Sequence, residues 1–375
     1  MTTDETLYTI ALTRLTGFNH MTALQLYREL GGGRAVYDHR HDLRQAVPYC
    51  TPRLAAALHD WDLALSRAES EMAFMARHHI AAIGLNDDAY PRRLATTADA
   101  PVVMYYLGSA PLNRQRVVSI VGTRHATSYG QDLTTRFVRE LKELCPDVLI
   151  VSGLAYGIDI VAHRAALEQG YDTVGVLAHG LDDLYPPRHR DTARLMTTQG
   201  GLLTEYMSET LADKRNFVKR NRIVAGMADA TVIVESASHG GGLITCRIAQ
   251  DEGRSVFAFP GAVGAPWSEG CNNLIRDSGA QLVTSARDFV CAMGWQHDAA
   301  RQQAARKGIE RTLFPELSEA ERRVVQTLAD SGDLQLGTLA VKTNIAVGQL
   351  TAMLFEMEMK GVVRPLAGGS YHLIR

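Results

Sequence analysis

The sequence predicts an α/β protein whose core is a parallel β-sheet with helices on its faces, between an all-helical domain and a winged helix. From about residue 80 onward, short apolar runs alternate with amphipathic stretches, which is the pattern of parallel strands joined by helices. The N-terminal part carries apolar positions at helical spacing, and the C-terminal part combines helices with short strands. We expect domains at 1–82, 83–297 and 316–375, with a linker at 298–315.

The N-terminal domain is expected to be helical throughout. The stretches "LYTIALTRLTGFNHMTALQLYREL" and "TPRLAAALHDWDLALSRAESEMAFMARHH" have helical periodicity and are separated by a break at Gly31 to Gly33. The segment "LTGFNHMTALQL" resembles a DNA-binding hairpin, with Gly17 as the candidate for backbone contacts. Phe18 and Asn19 depart from a Gly-x-Gly hairpin, so a structural role is favoured for this segment.

The central domain supplies the strands. From "HIAAIGL" onward, its apolar runs are "VVMYYLG", "VVSIVG", "VLIVSG", "TVGVLAHG", "ATVIVE" and "SVFAFPG", most of them followed by amphipathic stretches. Such runs predict buried strands joined by helices.

The C-terminal 60 residues predict a winged helix after a polar linker. The pattern is a Ser-capped helix, a helix-turn-helix around Asn344 to Gly348, and two strands turning at Gly368 and Gly369. Residues 344–353 contain no cation, whereas a major-groove helix usually presents cations and amides. We therefore expect this module to pack against protein, although a duplex-reading winged helix above a nucleotide-sensing core stays an alternative.

Composition limits the class of protein. With 46% apolar and 21% charged residues, no apolar run is long enough for a membrane span, and the N-terminus does not read as a signal peptide, so a cytoplasmic protein is expected. The formal charge of −2 requires any nucleic-acid binding to come from a local patch. The five cysteines form no CxxC pair, which argues against a zinc ribbon and a disulfide framework.

Glycine-rich turns follow the ends of several strands. The loops "IVGTRHATSYG", "VSGLAYGID", "LAHGLDDLYP" and "ESASHGGGLIT" combine glycine with serine, threonine or histidine. Carboxyl ends of parallel strands share one edge of a sheet, so these loops should converge, with their backbone N–H groups available to phosphates. His125, His179 and His239 are candidate phosphate donors there. The dinucleotide, Walker and GxSxG motifs are absent, which argues against redox, P-loop and serine-hydrolase classes.

The stretch "FVKRNRIVAG" indicates an anion. If a helix begins here, Lys219, Arg220 and Arg222 lie at its positive end and should pair with successive phosphates, although a structural salt bridge is the rival role for Arg222. Bases could then stack on aromatic faces. The candidates for stacking are Tyr129, Tyr156 and Phe217.

Asp159 and His163 are spaced to share one helix face. A capping or packing hydrogen bond is favoured over a general base or a metal site, because no third ligand is evident. No metal and no catalytic residue are expected.

The motif order is similar to that of the DNA-processing protein A family, DprA or Smf. The matching segments run from "YPRRLATTADAPVVMYYLG" through "VVSIVGTRHATSYG", "VSGLAYGIDIVAHRAAL", "GVLAHGLDDLYPPRHR", "GGLLTEY", "FVKRNRIVAG" and "GGGLITCRIAQDEGRSVFAFPG" to "SEGCNNLIRDSGAQLV". The resemblance implies an extended Rossmann-like core, an N-terminal extension like a sterile-alpha-motif or helix-hairpin-helix domain, and a winged-helix appendix. It also implies a homodimer that binds single-stranded DNA without sequence preference, protects incoming DNA and helps load the recombinase RecA during natural transformation, without enzymatic activity or a cofactor.

The resemblance also implies phosphate-gripping positions, with Phe217 as a stacking or wall residue and Lys219 beside them. In this sequence they are Gly122, Thr123, Arg124, Ser152, Gly153, Arg220, Asn221, Arg222 and the loop of Gly240, Gly241, Gly242 and Thr245. The chain departs from the family in two places. Gly240 and Gly242 stand where the family often has serine hydroxyl donors, so backbone groups alone remain there. Val218 replaces a common proline, which leaves the helix start less fixed.

An enzymatic alternative stays open. Nucleotide N-glycosidases of the LOG type share this kind of core, but they carry a glutamate after a GGxGT loop. Here Gly240 to Gly242 lead into "LITCRIAQDE", with no glutamate at that place. A nucleotide-binding protein without such catalysis is a related possibility.

Overall fold

The computed structural model describes residues 2–16, 19–295, 317–360, 362–366 and 370–373, and the chain forms two compact units, residues 1–296 and 297–375. The predicted linker, Gly17 with Phe18, and the turn at Gly368 and Gly369 lie outside the described residues. The domain boundaries stay a prediction.

The N-terminal segment is helical, as predicted. Its helices pack around a core that contains the buried Trp61. The Thr2 side chain caps the first helix by accepting from the Glu5 backbone N–H, and the second ends at Gly31, which has a φ of +92°. The helices are α1 (Thr3–Leu15), α2 (His20–Leu30), α3 (Gly33–Asp38), α4 (Leu43–Ala46), α5 (Pro52–Ala57) and α6 (Asp62–His78).

The rest of the first unit is built on a nine-stranded sheet. Its strands are β1 (Ala81–Gly84), β2 (Val103–Gly108), β3 (Val117–Val121), β4 (Leu149–Ser152), β5 (Thr173–Val176), β6 (Gly200–Thr204), β7 (Ala230–Ile233), β8 (Ser255–Ala258) and β9 (Gln281–Leu282). The strand order is β1-β2-β6-β5-β4-β3-β7-β8-β9. The pairs β1–β2 and β2–β6 are antiparallel and the others are parallel. The predicted parallel core is confirmed; β6 and β9 were not predicted from the sequence.

Helices cover both faces of this sheet. Val118 and Ile120 of β3 belong to one apolar cluster and Val117 and Val121 to another, because side chains alternate along a strand. The helices are α7 (Arg92–Ala95), α8 (Ser128–Leu144), α9 (Ile158–Glu168), α10 (Arg190–Thr198), α11 (Lys214–Gly226), α12 (Gly241–Asp251), α13 (Glu269–Arg276) and α14 (Ala286–Ala292), with a 3₁₀ turn at Pro187–His189.

The second unit is a winged helix with its own apolar core, as predicted. Ser318 caps its first helix in a reciprocal capping box with Glu321, and Asn344, with a φ of +53°, ends the second. The elements are α15 (Glu319–Ser331), β10 (Leu334–Gln335), α16 (Leu336–Thr343), α17 (Val347–Met359), β11 (Val363–Leu366) and β12 (Ser370–Leu373), with the strand order β10-β12-β11.

Two composition-based expectations concern membranes and cysteines. Across the described ranges, no helix combines the length and apolarity needed to cross a bilayer. The five cysteines lie in the described ranges and form no disulfide there; Cys291 is exposed whereas the other four are buried.

Candidate functional site

One cavity lies at the carboxyl ends of the parallel strands, at the point where the direction of strand succession reverses. β3 pairs with β4 on one side and with β7 on the other, so the loops after these strands diverge and leave a crevice. The crevice has a volume of about 550 Å³, within the range of small-molecule sites. Its wall includes Gly122 to Arg124 after β3, Gly153 and Ala155 after β4, and Gly240 to Gly242 after β7. Three of the four predicted loops therefore converge on this cavity, as expected, and the fourth contributes Tyr185 to its wall.

The loop after β3 is held from β7. The Thr123 N–H donates to the Glu235 carbonyl at 2.7 Å. The Glu235 carboxylate accepts from the Thr127 hydroxyl at 2.6 Å and from its N–H at 2.9 Å. Between these two anchored residues, Arg124 is exposed, and its guanidinium carbon lies 5.0 Å from the centre of the Phe217 ring. The arginine thus combines a free cationic face with an aromatic support.

The loop after β4 meets a buried arginine. Arg220 is 3% exposed, and its Nη1 donates to the Gly153 carbonyl at 2.7 Å and to the Val176 carbonyl. A Cβ at Gly153 would lie 2.4 to 2.6 Å from the Arg220 guanidinium, so only glycine allows this approach. The Arg220 Nε has no hydrogen-bond partner among the described residues.

Asp159 sits beside this arginine. Its carboxylate accepts from the N–H groups of Gly153 at 3.1 Å and Ala155 at 3.4 Å. Burial lowers the pKa of Arg220 to about 10, and Asp159 opposes that shift, so the guanidinium stays protonated at neutral pH. Burial also raises the pKa of Asp159, and Arg220 opposes that rise. The cavity wall therefore carries the Arg220 guanidinium with the Asp159 carboxyl group beside it.

The third wall is the start of α12. Gly240 caps this helix without a side-chain hydrogen bond. The first N–H groups of an α-helix lack intrahelical partners and carry partial positive charge. Thr245, one turn further along, also lines the cavity. Backbone and hydroxyl donors therefore face the same space as Arg124 and Arg220.

Helix α11 corrects the prediction for "FVKRNRIVAG". The helix begins at Lys214, where the Asp213 side chain accepts from the Arg215 N–H at 2.8 Å. Lys219, Arg220 and Arg222 therefore lie in its middle, and the argument from its positive end does not apply. Val218 is also interior, so its replacement of proline does not concern the start of this helix.

Arg222 does not reach the cavity. Its Nη2 forms an ion pair with the Glu205 carboxylate at 2.6 Å, and its Nε lies 3.3 Å from Asp99. The Arg222 and Glu205 side chains are 7% and 2% exposed. Arg222 points toward the core because its position on α11 lies next to the buried Glu205. The predicted phosphate contact is wrong for this arrangement, and the structural salt bridge is the observed role.

Two further predicted positions lie outside the lining. Ser152 is buried, and its hydroxyl donates to the Ile120 carbonyl at 2.6 Å, because the residue ends a central strand. Lys219 is exposed but is absent from the cavity wall, since it lies on another side of α11. The remaining predicted residues do line the cavity: Gly122, Thr123, Arg124, Gly153, Phe217, Arg220, Asn221, Gly240, Gly241, Gly242 and Thr245.

Sequence reasoning missed Lys214, Tyr185 and Trp267, which also line the cavity. The Tyr185 ring lies 5.6 Å from that of Phe217. Tyr185 comes from the loop after β5, which represents the fourth predicted loop. The sequence did contain a signal for Lys214. With Asp213 as the N-cap of α11, helical spacing places Lys214 on the same face as Phe217 and Asn221.

The candidate histidines have different environments. The His179 Nε2 accepts from the Tyr185 N–H at 3.1 Å and its Nδ1 lies 2.8 Å from the Gly180 carbonyl, so both ring nitrogens are occupied within the fold. The prediction of His179 as a phosphate donor is therefore wrong. His125 and His239 are exposed on their loops, outside the cavity lining.

Asp159 and His163 are not bonded to each other, contrary to the favoured interpretation. Asp159 bonds the preceding loop, while the His163 Nδ1 lies 2.7 Å from the Thr173 hydroxyl. Burial lowers the pKa of His163 to about 3, so the ring is neutral in the fold. Among the described residues, no cluster of three histidine, cysteine or acidic side chains could hold a metal ion.

Comparisons with known proteins agree on one family. A family model described as DNA recombination-mediator protein A matches residues 81–294, and a DprA winged helix domain model matches residues 311–369. A putative DNA processing protein DprA of Mycobacterium tuberculosis is 34% identical over 324 residues, which cover 83% of this chain and 81% of that protein.

Solved structures that are similar to this chain include two DNA processing proteins. The X-ray structure of DNA processing protein A from Streptococcus pneumoniae has a TM-score of 0.62 at 30% identity and covers 76% of this chain and 97% of that one. The DNA processing protein A of Helicobacter pylori, solved for insight into its single-stranded DNA binding mode, has a TM-score of 0.52 at 27% identity and covers 57% and 95% of the two chains.

Proposed function

The chain belongs to the DNA recombination-mediator protein A family, and from this membership we propose that it binds single-stranded DNA without sequence preference. On this proposal it protects incoming DNA and hands it to a recombinase during natural transformation. The cavity at the ends of β3, β4 and β7 is the proposed binding site.

One observation carries the proposal: cations, free backbone donors and aromatic rings meet in one crevice. Arg124 provides an exposed positive charge, Arg220 provides a buried one beside Asp159, and α12 presents its N-terminal N–H groups. Phe217 and Tyr185 offer ring faces beside them. Grooves that bind single strands combine a cationic path for phosphates with aromatic surfaces for bases, and base stacking tolerates any sequence.

We also propose that the site is not enzymatic. Among the described residues that line the cavity, Asp159 is the one acidic side chain, and it accepts hydrogen bonds from two backbone N–H groups beside Arg220. Gly240 to Gly242 lie at the start of α12, and the residues that follow lack the glutamate that a LOG-type N-glycosidase uses at that place. Incubation with nucleoside monophosphates, followed by chromatography for free base, tests this part; base release that Asp159→Asn abolishes would overturn it.

The cellular role extends the proposal beyond the cavity. Family membership supports a cytoplasmic homodimer that helps load the recombinase RecA. Sedimentation of the full chain should give a dimer. Recombinase assembly on single-stranded DNA should accelerate when the protein is added, and unchanged assembly would contradict the mediator role.

For the winged-helix unit we propose a protein partner rather than DNA. Helix α17 presents Val347 and Phe355, which are 51% and 64% exposed, and residues 344–353 carry no cation. Exposed apolar side chains without cations suit a protein contact better than a phosphate backbone. Because the unit has its own core, a fragment of residues 315–375 can be tested separately, and duplex binding by this fragment would overturn the assignment.

The direct experiment compares strands of different kind and sequence. Fluorescence anisotropy with labelled single strands of several compositions should give similar affinities, and an unlabelled single strand should compete far better than a duplex of the same length. A strong preference for one sequence, or equal competition by duplex, would contradict the proposal.

A further inference from the structure

A second groove adjoins the cavity on the other side of Arg124. It has a volume of about 490 Å³ and lies between the start of α8 and one face of α9. Arg124 lines both spaces, so the groove continues from the cavity. The lining consists of Arg124, His125, Ala126, Gln131, Tyr156, Gly157, Ile160, Val161 and Arg164.

The groove has the chemistry of a nucleotide site. None of its lining residues is acidic, and Arg124 and Arg164 are both exposed cations. The Arg164 Nε donates to the Thr192 hydroxyl at 3.2 Å, which orients the guanidinium at the surface. The partly buried Val161, next to the buried Ile160, forms the apolar part of the lining between the charged ends. A phosphate beside the arginines and a base over the apolar part would satisfy both kinds of surface.

Tyr156 is a supported aromatic surface in this groove. Its side chain is 39% exposed, and its ring meets the His189 ring edge-on at 5.1 Å. His189 is itself buried, with its Nδ1 2.8 Å from the Leu154 carbonyl. Because the Tyr156 ring packs against a buried side chain and is also partly exposed to solvent, it can stack on a base with little loss of side-chain entropy.

The loop that carries Tyr156 is also tied to the cavity. The Ile158 N–H donates to the Thr123 carbonyl at 3.1 Å. Gly157, with a φ of +78°, turns the chain there, and a Cβ on it would lie 2.0 Å from that same carbonyl. Cavity and groove are therefore joined by direct backbone contacts.

We propose that a DNA strand bound in the cavity continues past Arg124 into this groove, where Arg164 contacts a phosphate and Tyr156 stacks on a base. This inference rests on the proposed binding of single-stranded DNA. The groove would be a second subsite beside the cavity. A strand short enough to lie within the cavity alone would not reach this subsite.

The test uses the full chain and labelled oligothymidylates of about 4 and about 16 nucleotides, the limits of common site sizes in single-strand binders. Tyr156→Ala and Arg164→Ala should each weaken binding of the longer strand about tenfold and change binding of the shorter one less than about twofold. Arg164→Ala should also flatten the dependence of log affinity on log salt by about 0.7 for the longer strand.

Two variants serve as controls. Tyr156→Phe keeps the ring face and should bind like the wild type. Arg139→Ala removes an exposed cation from α8 outside the groove and should also bind like the wild type.

The outcomes separate the two proposals. If Arg124→Ala loses affinity while Tyr156→Ala and Arg164→Ala bind both lengths normally, the strand uses the cavity alone and this inference is overturned. Equal losses for short and long strands would also overturn it, because the groove would then not be a separate extension. If the wild type binds neither strand, the proposed function falls together with the extension.

Discussion

Replacing Arg222 by alanine is expected to destabilise the first unit without removing a DNA contact. The substitution leaves the Glu205 carboxylate, whose side chain is 2% exposed, without its ion-pair partner at 2.6 Å. In the wild type, burial and then Arg222 lower the pKa of the His20 ring, 3.1 Å away, to about 3, so Arg222 is the charged partner of Glu205 and His20 is not. Breaking a buried pair from one side costs about 3–5 kcal/mol.

The assay is urea unfolding followed by tryptophan fluorescence. The three tryptophans, Trp61, Trp267 and Trp295, all lie in the first unit, so this signal reports that unit. With a denaturant slope of about 3 kcal/mol per molar urea, the expected loss lowers the midpoint by about 1–1.7 M. Single-stranded DNA affinity, measured well below the midpoint, should stay within about twofold of the wild type.

Controls identify the mechanism of this loss. The double variant Arg222→Met/Glu205→Leu removes both charges and should recover most of the stability. Burial raises the pKa of Glu205, and Arg222 opposes that rise, so the Glu205 carboxylate takes up a proton more readily in Arg222→Ala. The stability lost relative to the wild type should therefore shrink as the pH falls. An unchanged midpoint together with weakened DNA binding would refute the reasoning and return Arg222 to the phosphate path.

Three further expectations follow, two from the site and one from the buried His163. Gly153→Ala places a Cβ within 2.6 Å of the Arg220 guanidinium and should cost about 1–3 kcal/mol in urea unfolding, with weaker DNA binding; wild-type behaviour would contradict the close packing. Phe217→Ala should cost about 1–3 kcal/mol of binding by anisotropy, whereas Phe217→Tyr should not, and equal losses would argue against stacking. Because burial lowers the pKa of His163 to about 3, the first unit should lose stability as the pH falls below about 6.5. In His163→Gln, the unfolding free energy should depend on pH with a slope that is shallower by up to about 1.4 kcal/mol per pH unit. Identical slopes for the wild type and this variant would contradict the expectation.

The parts of the fold that follow from local pattern were predictable. The apolar runs of β3, β4 and β7 end in glycine turns, and the edge they share follows from parallel topology alone. Strand β6, "GGLLT", was not predicted because two glycines carry little β-propensity. Its pairing with β2 and β5 makes it a strand, and Gly201 is needed where a Cβ would lie 2.3 Å from the Tyr106 ring. Such contacts arise between segments distant in sequence.

The loops that form the site could be predicted from the sequence. The directions in which their neighbouring side chains point could not. Arg220 and Arg222 are two residues apart on α11, and one lines the cavity while the other pairs with Glu205. Which cation faces the core depends on where α11 begins and on a carboxylate from another segment. The helix start had a signal in Asp213, a favourable N-cap residue, but the buried partner had none.

The most direct test of the central claim is the salt dependence of single-strand binding by the wild type and by Arg124→Ala. Anisotropy of a labelled oligothymidylate should give a slope of about −0.7 per phosphate contacted when log affinity is plotted against log salt. Arg124→Ala should weaken binding and flatten this slope by about one contact, and AMP should compete poorly. If AMP displaces the strand at low concentration, or if Arg124→Ala binds unchanged, the cavity is a nucleotide pocket and the account of a DNA-binding site is contradicted.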